Sequence, residues 1–499
     1  MRRFLLLAPL AVLPAAAAAD CGPNPVPRAS GVPIEDYPAL ICEGLDADGF
    51  DARRSGDRAG FEIRGDATVL GEVTVAVNGF TWVRDGALLQ PDGGSSGVET
   101  GRTALRLLTT GPLVVDDGAD IRSDGDTVVI DSPFGLTVDN AGDILSANGA
   151  GIAGAFDTQS VPYVTSDTIF NDGVVIGETA GIDLVQRGFA TITNRGNVRA
   201  NDGPGIVATG DVRIRNWRGA PFPAAAIQGN SEGILSFGTL DLWNQTIVTG
   251  QTGVALVDGE VLNRGFIGNL GGGPGTVGIR LIPLGGRVEV RNEGTIQGAI
   301  GIDGFRRALG DGFIDISSDT ALRYVQTYDG RLRGIRGTAF TLSDADDEVR
   351  LGSGSIAGRG LFGGGDDLLA FSSGRVFPED GVEGLEFFAR GQEDYGYFDG
   401  GAGFDTALFP EDLFTDILGA QFGLDRAILT FDTPERTRLE LVNFESFGFD
   451  DPDGGRDPIF YTFQELAERL TPAPIPLPAA GWLMLAGLGA LGLRGRRRG

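Results

Sequence analysis

The sequence contains no histidine and no lysine. Without histidine there is no Ser-His-Asp or Cys-His nucleophile system, no imidazole general base and no His-ligated zinc; without lysine there is no Schiff-base chemistry. Every basic residue is therefore an arginine, and with 40 of them against 68 Asp and Glu the formal net charge is −28. That balance argues against a nucleic-acid partner, whose capture depends on cationic contacts to phosphate, and fits an extracellular surface that attracts cations. Aromatic residues are scarce at 8%, and there are only two cysteines, Cys21 and Cys42. Long amphipathic helices are also missing, the single helical candidate being Thr462 to Leu470.

What the chain does have is glycine, 81 residues of it, arranged in a repeat. The unit is Asn-x-Gly-x-aliphatic, seen at Asn140-Ala141-Gly142-Asp143-Ile144, Asn171-Asp172-Gly173-Val174-Val175, Asn194-Arg195-Gly196-Asn197-Val198, Asn263-Arg264-Gly265-Phe266-Ile267 and Asn292-Glu293-Gly294-Thr295-Ile296. Degraded copies stand at Asn216 and Asn244, so neighbouring copies are 19 to 31 residues apart. Between them recur glycine-aliphatic pairs such as Gly151-Ile152, Gly181-Ile182, Gly233-Ile234 and Gly278-Ile279. Asn and Gly turn a corner and the β-branched run that follows lies in a sheet. A single copy has nothing against which to bury its aliphatic face, so copies must stack as the coils of a solenoid. Stacking aligns Ile144, Val175, Val198, Ile267 and Ile296 in one core column and the asparagines in a hydrogen-bonded ladder. The competing reading is an antiparallel sandwich with Asn-Gly hairpins, whose strands would recur every ~8–12 residues.

This pattern resembles the right-handed parallel β-helix of bacterial secreted proteins, among them autotransporter passenger regions and polysaccharide-active enzymes, over about half the chain. The resemblance implies an all-β solenoid, with clear repeats inside residues 61–340.

Both ends read as targeting segments. Arg2-Arg3, an apolar stretch from Phe4 to Leu13 and the small residues Ala15 to Ala19 form a secretory signal over residues 1–19, to be removed by signal peptidase. Export places Cys21 and Cys42 in an oxidising setting, where a disulfide closing a loop of about twenty residues stabilises by roughly 3 kcal/mol and staples a cap over residues 20–60. At the other end, Ile475-Pro476-Leu477-Pro478-Ala479 precedes an apolar stretch over residues 479–493 and the basic tail 494–499 with Arg494, Arg496, Arg497 and Arg498. As one short transmembrane helix, about 15 residues rise ~22 Å, short of a ~30 Å hydrocarbon core, and the arginines stay cytoplasmic. Motif, short span and arginine tail in that order resemble the exosortase sorting signals of Gram-negative bacteria, the VPLPA variety of the PEP-CTERM-like class, with Ile475 in place of Val. The resemblance implies transient inner-membrane anchoring and an exosortase-like processing enzyme as partner. An ordinary tail anchor is the alternative. The helix and Pro-rich linker before it occupy residues 461–478.

Residues 341–460 change character. Asp346-Asp347 is echoed by Asp366-Asp367 twenty positions on and by Gly400-Gly401-Ala402-Gly403-Phe404-Asp405. These units look like hemolysin-type calcium-binding repeats, which implies Ca²⁺ as a cofactor held at Asp347, Asp367 and Asp405 with Asp346 and Asp366 beside them. In that family the units run in tandem, whereas Asp347, Asp367 and Asp405 are 20 and 38 residues apart, so the aspartates are equally readable as turn formers.

Two functions fit. The first is an exported, non-enzymatic surface protein, an adhesin, stalk or matrix component, with extracellular polysaccharide as a candidate partner. The second is a polysaccharide lyase or hydrolase of β-helix type working through paired carboxylates, for which Asp116, Asp117 and Asp120 are candidates.

Overall fold

A computed structural model describes residues 20–470 apart from 24–37, 47–49, 53–59, 66, 77–78, 92–101, 109–110, 155–165, 186–187, 219–224, 305–320, 328–330, 373–374, 378–395, 433–437 and 452–456. The signal segment 1–19, the linker 471–478, the apolar segment 479–493 and the tail 494–499, with sorting residues Ile475 to Ala479 and Arg494 to Arg498, lie outside the described residues. Among those described, no helix is long and apolar enough to cross a membrane.

The chain winds as a parallel β-solenoid of three sheet faces. In the N-terminal half each strand pairs in parallel with the third strand after it, and beyond it, where strands run on around a corner, mostly with the second. Thus Thr137–Asn140 pairs with Ser166–Asn171, that with Phe189–Asn194, and that with Val212–Asn216. This first face runs from Pro38–Glu43 to Ser446–Asp450. A second passes through Asp143–Ser146, Val174–Gly177 and Asn197–Ala200, and a third through Ala150–Gly154, Ala180–Leu184 and Ile206–Ala208. Some strands turn a corner and serve two faces: Glu232–Asn244 does so with a register shift between Ser236 and Thr239. Parallel pairing between residues 19 to 31 apart excludes the hairpin sandwich, because parallel neighbours need a crossover and not a tight turn.

Alternation within each short strand explains the core. In Asn197–Ala200 the residues alternate exposed, buried, exposed, buried, and Val198 sits over Val175 below and under Ile227 above. The expected column Ile144, Val175, Val198, Ile267 and Ile296 is fully buried. It also takes in Ile227 and Val248, which the repeat motif does not mark.

Two further columns close the corners. Asn140, Asn171, Asn194, Asn216, Asn244, Asn263 and Asn292 are all buried. Each Nδ2 donates to the Oδ1 of the asparagine in the next coil at 2.8–2.9 Å. The ladder ends when Asn292 donates to the Tyr324 hydroxyl, which donates to Gln326. At the start of the ladder the Asn140 Oδ1 accepts nothing. The recurrent glycines line the corner between the second and third faces. A Cβ on Gly233 would lie 2.6 Å from the Gly253 carbonyl oxygen and 2.6 Å from the Val248 side chain, so only glycine lets successive coils approach.

In the C-terminal coils phenylalanines replace the aliphatic filling. Phe340 packs 5.2 Å from Phe362 and 6.1 Å from Phe398, and Phe409 lies 5.2 Å from Phe449.

Antiparallel strands seal both ends, the usual liability of an open sheet edge. Asp20–Pro23 pairs with Pro38–Glu43, with Cys21 opposite Cys42, and the two are disulfide-bonded. At the other end Arg426–Phe431 pairs with Arg438–Val442, and Ile459–Thr462 with Ser446–Asp450. The helix Phe463–Leu470 follows and buries Leu466. Its start is a capping box, the Thr462 hydroxyl accepting from the Glu465 amide at 3.3 Å while the Glu465 carboxylate accepts from the Thr462 amide at 2.9 Å.

Candidate functional site

The acidic residues singled out in the Gly/Asp-rich coils come together. Asp347, Asp367 and Asp405 occupy successive rungs at the start of the first face, fixed by the pairing of Glu348 with Leu368 and of Leu368 with Thr406. Followed toward the N-terminus the same column holds Leu322, Val288, Gly259, Leu240, Val212 and Ala190. These aspartates therefore stand at core positions, and their exposures are 2%, 2% and 0%. Two-residue alternation places them there: Asp347, Val349 and Leu351 turn inward while Glu348 and Arg350 turn outward and pair with each other.

Each inward carboxylate accepts an amide from the coil before it. Leu322 donates to Asp347 at 2.6 Å, Asp347 to Asp367 at 2.7 Å, Asp367 to Asp405 at 2.9 Å and Asp405 to Glu445 at 2.8 Å. Beside this row runs an outer one, in which the Asp366 amide donates to Asp346 at 2.8 Å and the Phe404 amide to Asp366 at 2.9 Å. The glycines of the motif supply the corner backbone, Gly363, Gly365, Gly401 and Gly403 all having φ between 93° and 144°.

The members of the row differ in what is left over. Asp347 spends its second oxygen on the Ser343 amide and hydroxyl at 3.1 and 3.3 Å. Asp367 and Asp405 each keep a buried Oδ2 with no hydrogen-bond partner. Desolvation dominates in all three, pushing Asp347 up to about 7, Asp367 to about 8 and Asp405 to about 6. The orphan oxygens of Asp367 and Asp405 suit an oxygen-coordinated cation, which would replace the proton that burial otherwise favours. Asp347 does not suit it, being already saturated. Among the described residues no group of three or more His, Cys, Asp or Glu side chains converges on one point, so further ligands would have to be backbone carbonyls or water.

Sequence reasoning missed two members of this site. Glu445 ends the inner row, and Asp399 receives the Gly401 amide at 3.1 Å and Asn443 Nδ2 at 2.8 Å. Asn443 itself has φ 55°. The period-two count back from Phe447 and Phe449, both buried, would have placed Glu445 on the inner side.

The candidate catalytic carboxylates have separate partners. Asp116 accepts the Trp82 indole N–H at 2.8 Å and lies 3.7 Å from Arg84, whereas Asp120 is bound to Arg122 and Asp117 is exposed in a turn. Comparison with family models, with curated proteins and with solved structures finds no match to the chain.

Proposed function

We propose that the protein is an exported, surface-presented β-solenoid that acts by display and binding and not by turnover, delivered through a C-terminal signal of the exosortase-like kind. The observation that carries this reading is the filled interior: among the described residues one buried hydrophobic cluster runs from Leu40 to Leu466. Support also comes from the commitment of Asp116 and Asp120 to separate arginines. In this reading the solenoid is right-handed, the hand that right-twisted strands impose on parallel crossovers. The signal peptide, the sorting motif Ile475 to Ala479 and the arginine tail supply export, processing by an exosortase-like enzyme and temporary inner-membrane residence. The Gly/Asp-rich coils take Ca²⁺ at Asp367 and Asp405, whose orphan oxygens favour it, with Asp346, Asp366 and Asp347 as shaping neighbours.

The test is a turnover screen of the purified full-length chain against acidic and neutral polysaccharides, read by reducing-end release and by unsaturated-product absorbance. Binding without turnover is the expected result. Turnover abolished by Asp116→Asn or Asp120→Asn would replace this reading with the lyase or hydrolase one.

A further inference from the structure

One patch on the outer side of the first face departs from the acidic character of the chain. In the strand Val212–Asn216, Arg213 and Arg215 both reach the single carboxylate of Asp241 in the next coil, Arg213 through Nε at 2.8 Å and Arg215 through both terminal nitrogens at 2.8 Å. At the corner that follows stand Trp217, 38% exposed, and Arg218, also exposed. The Trp217 ring lies 4.9 Å from that of Trp243 at an angle of 46°. The guanidinium carbons of Arg215 and Arg264 approach the Trp243 ring to 5.9 and 5.8 Å. The Trp243 indole N–H is buried beneath this surface and has no hydrogen-bond partner.

Arg213, Arg215, Arg218 and Arg264 face Asp241, its column neighbour Glu260 and Glu293, four cations against three anions, so the patch is net +1 in a chain of −28. An exposed tryptophan packed on a half-buried one, with arginines beside them, has the composition of a contact site and not of an average surface. The arginine fork matches a carboxylate, and an indole face accepts the C–H face of a sugar ring. The strands beneath are hydrogen-bonded to both neighbours, so no backbone edge is open for a peptide to add as a strand.

We propose that Trp217, backed by Trp243 and Arg215, forms with Arg213 and Arg218 a binding platform for an anionic polysaccharide, a sugar ring stacking on the Trp217 indole and the uronate carboxylates seated on Arg218 and the terminal nitrogens of Arg213. This rests on reading the protein as displayed outside the cell, and it gives that display a partner.

The experiment is isothermal titration calorimetry of the full-length chain with polygalacturonate, with dextran as the uncharged sugar and poly-L-glutamate as the anion without sugar. Saturable binding to polygalacturonate is expected, weakening as salt is added and absent with the two controls. W217A and R218Q should each weaken it about tenfold or more with circular dichroism unchanged, and W217F should recover most of the loss. Trp82→Phe, remote from the patch, should bind as the parent does. Equal affinity for poly-L-glutamate would make the site a receptor for acidic peptide. Unchanged binding in W217A and R218Q, or no binding to polygalacturonate, would overturn the platform. The tail's fate in the native host is measured separately, so a failed titration leaves the display reading standing.

Discussion

At the scale of single residues, buried polar side chains in this solenoid are stable because the next coil repeats them. Asn194 accepts from Asn171 and donates to Asn216, so Asn194→Ala strands a donor below and an acceptor above. It should cost about 2–3 kcal/mol, whereas Asn140→Ala at the open end of the ladder, with only one asparagine neighbour, should cost less. Urea melts of the two variants check the order. The aspartate row obeys a different rule, because nothing in it supplies a countercharge. Asp347, Asp367 and Asp405 have folded-state values of about 7, about 8 and about 6, all above the ordinary 3.8. The folded chain therefore holds more protons than the unfolded one between about pH 4 and pH 8, and the stability tied to these groups is full below that window and lost as pH rises through it. The melting temperature should fall from pH 5 to pH 8. Millimolar Ca²⁺ should restore it at pH 8 and do little at pH 5, where protons hold the oxygens, and Asp405→Ala should blunt the recovery. A melting temperature that rises with pH and ignores Ca²⁺ would contradict both the burial and the cation assignment.

At the scale of the element, a coil is a set of short strands joined by corners, and the corners decide what is tolerated. Gly233→Ala places a Cβ 2.6 Å from the Gly253 carbonyl, against backbone that cannot rotate away, whereas Gly419→Ala in the C-terminal hairpin meets nothing within 4 Å. The first should lose about 1–3 kcal/mol or more and the second close to none, measurable as the difference in midpoint of denaturant unfolding. Corners are also where the sequence was most readable. Asn-x-Gly followed by a β-branched residue identifies both the ladder and the column through Val198, because a turn residue and an inward aliphatic recur together once per coil. Ile227 and Val248 escaped because their coils lack the marker glycine. The inward aspartates were legible as a motif but not in direction: Asp347 reads as a surface turn residue until the alternation through Val349 and Leu351 is carried back to it. The Trp217 and Trp243 pair went unnoticed although the register of Asn216 with Asn244 was legible, because one tryptophan follows its asparagine and the other precedes it, so they meet on a diagonal between coils.

At the scale of the whole molecule, a column of coils with each rung resting on the next gains stability by repetition, and its ends need separate closure. The disulfide with its antiparallel strand closes one end, and the hairpin, the strand Ile459–Thr462 and the helix Phe463–Leu470 close the other. An acidic column of coils closed at both ends fits the display proposed above. In the proposed reading the Pro-rich stretch after Leu470, with prolines at 476 and 478 that disfavour helix, is the expected site of processing. Cleavage near Ala479 would free the column from its only strongly apolar C-terminal segment. The most direct measurement is mass spectrometry of the mature protein from its native host, mapping the last peptide present. The account predicts chains that end close to Ala479 and lack Leu483 to Arg498; mature chains that mostly retain that segment would contradict it.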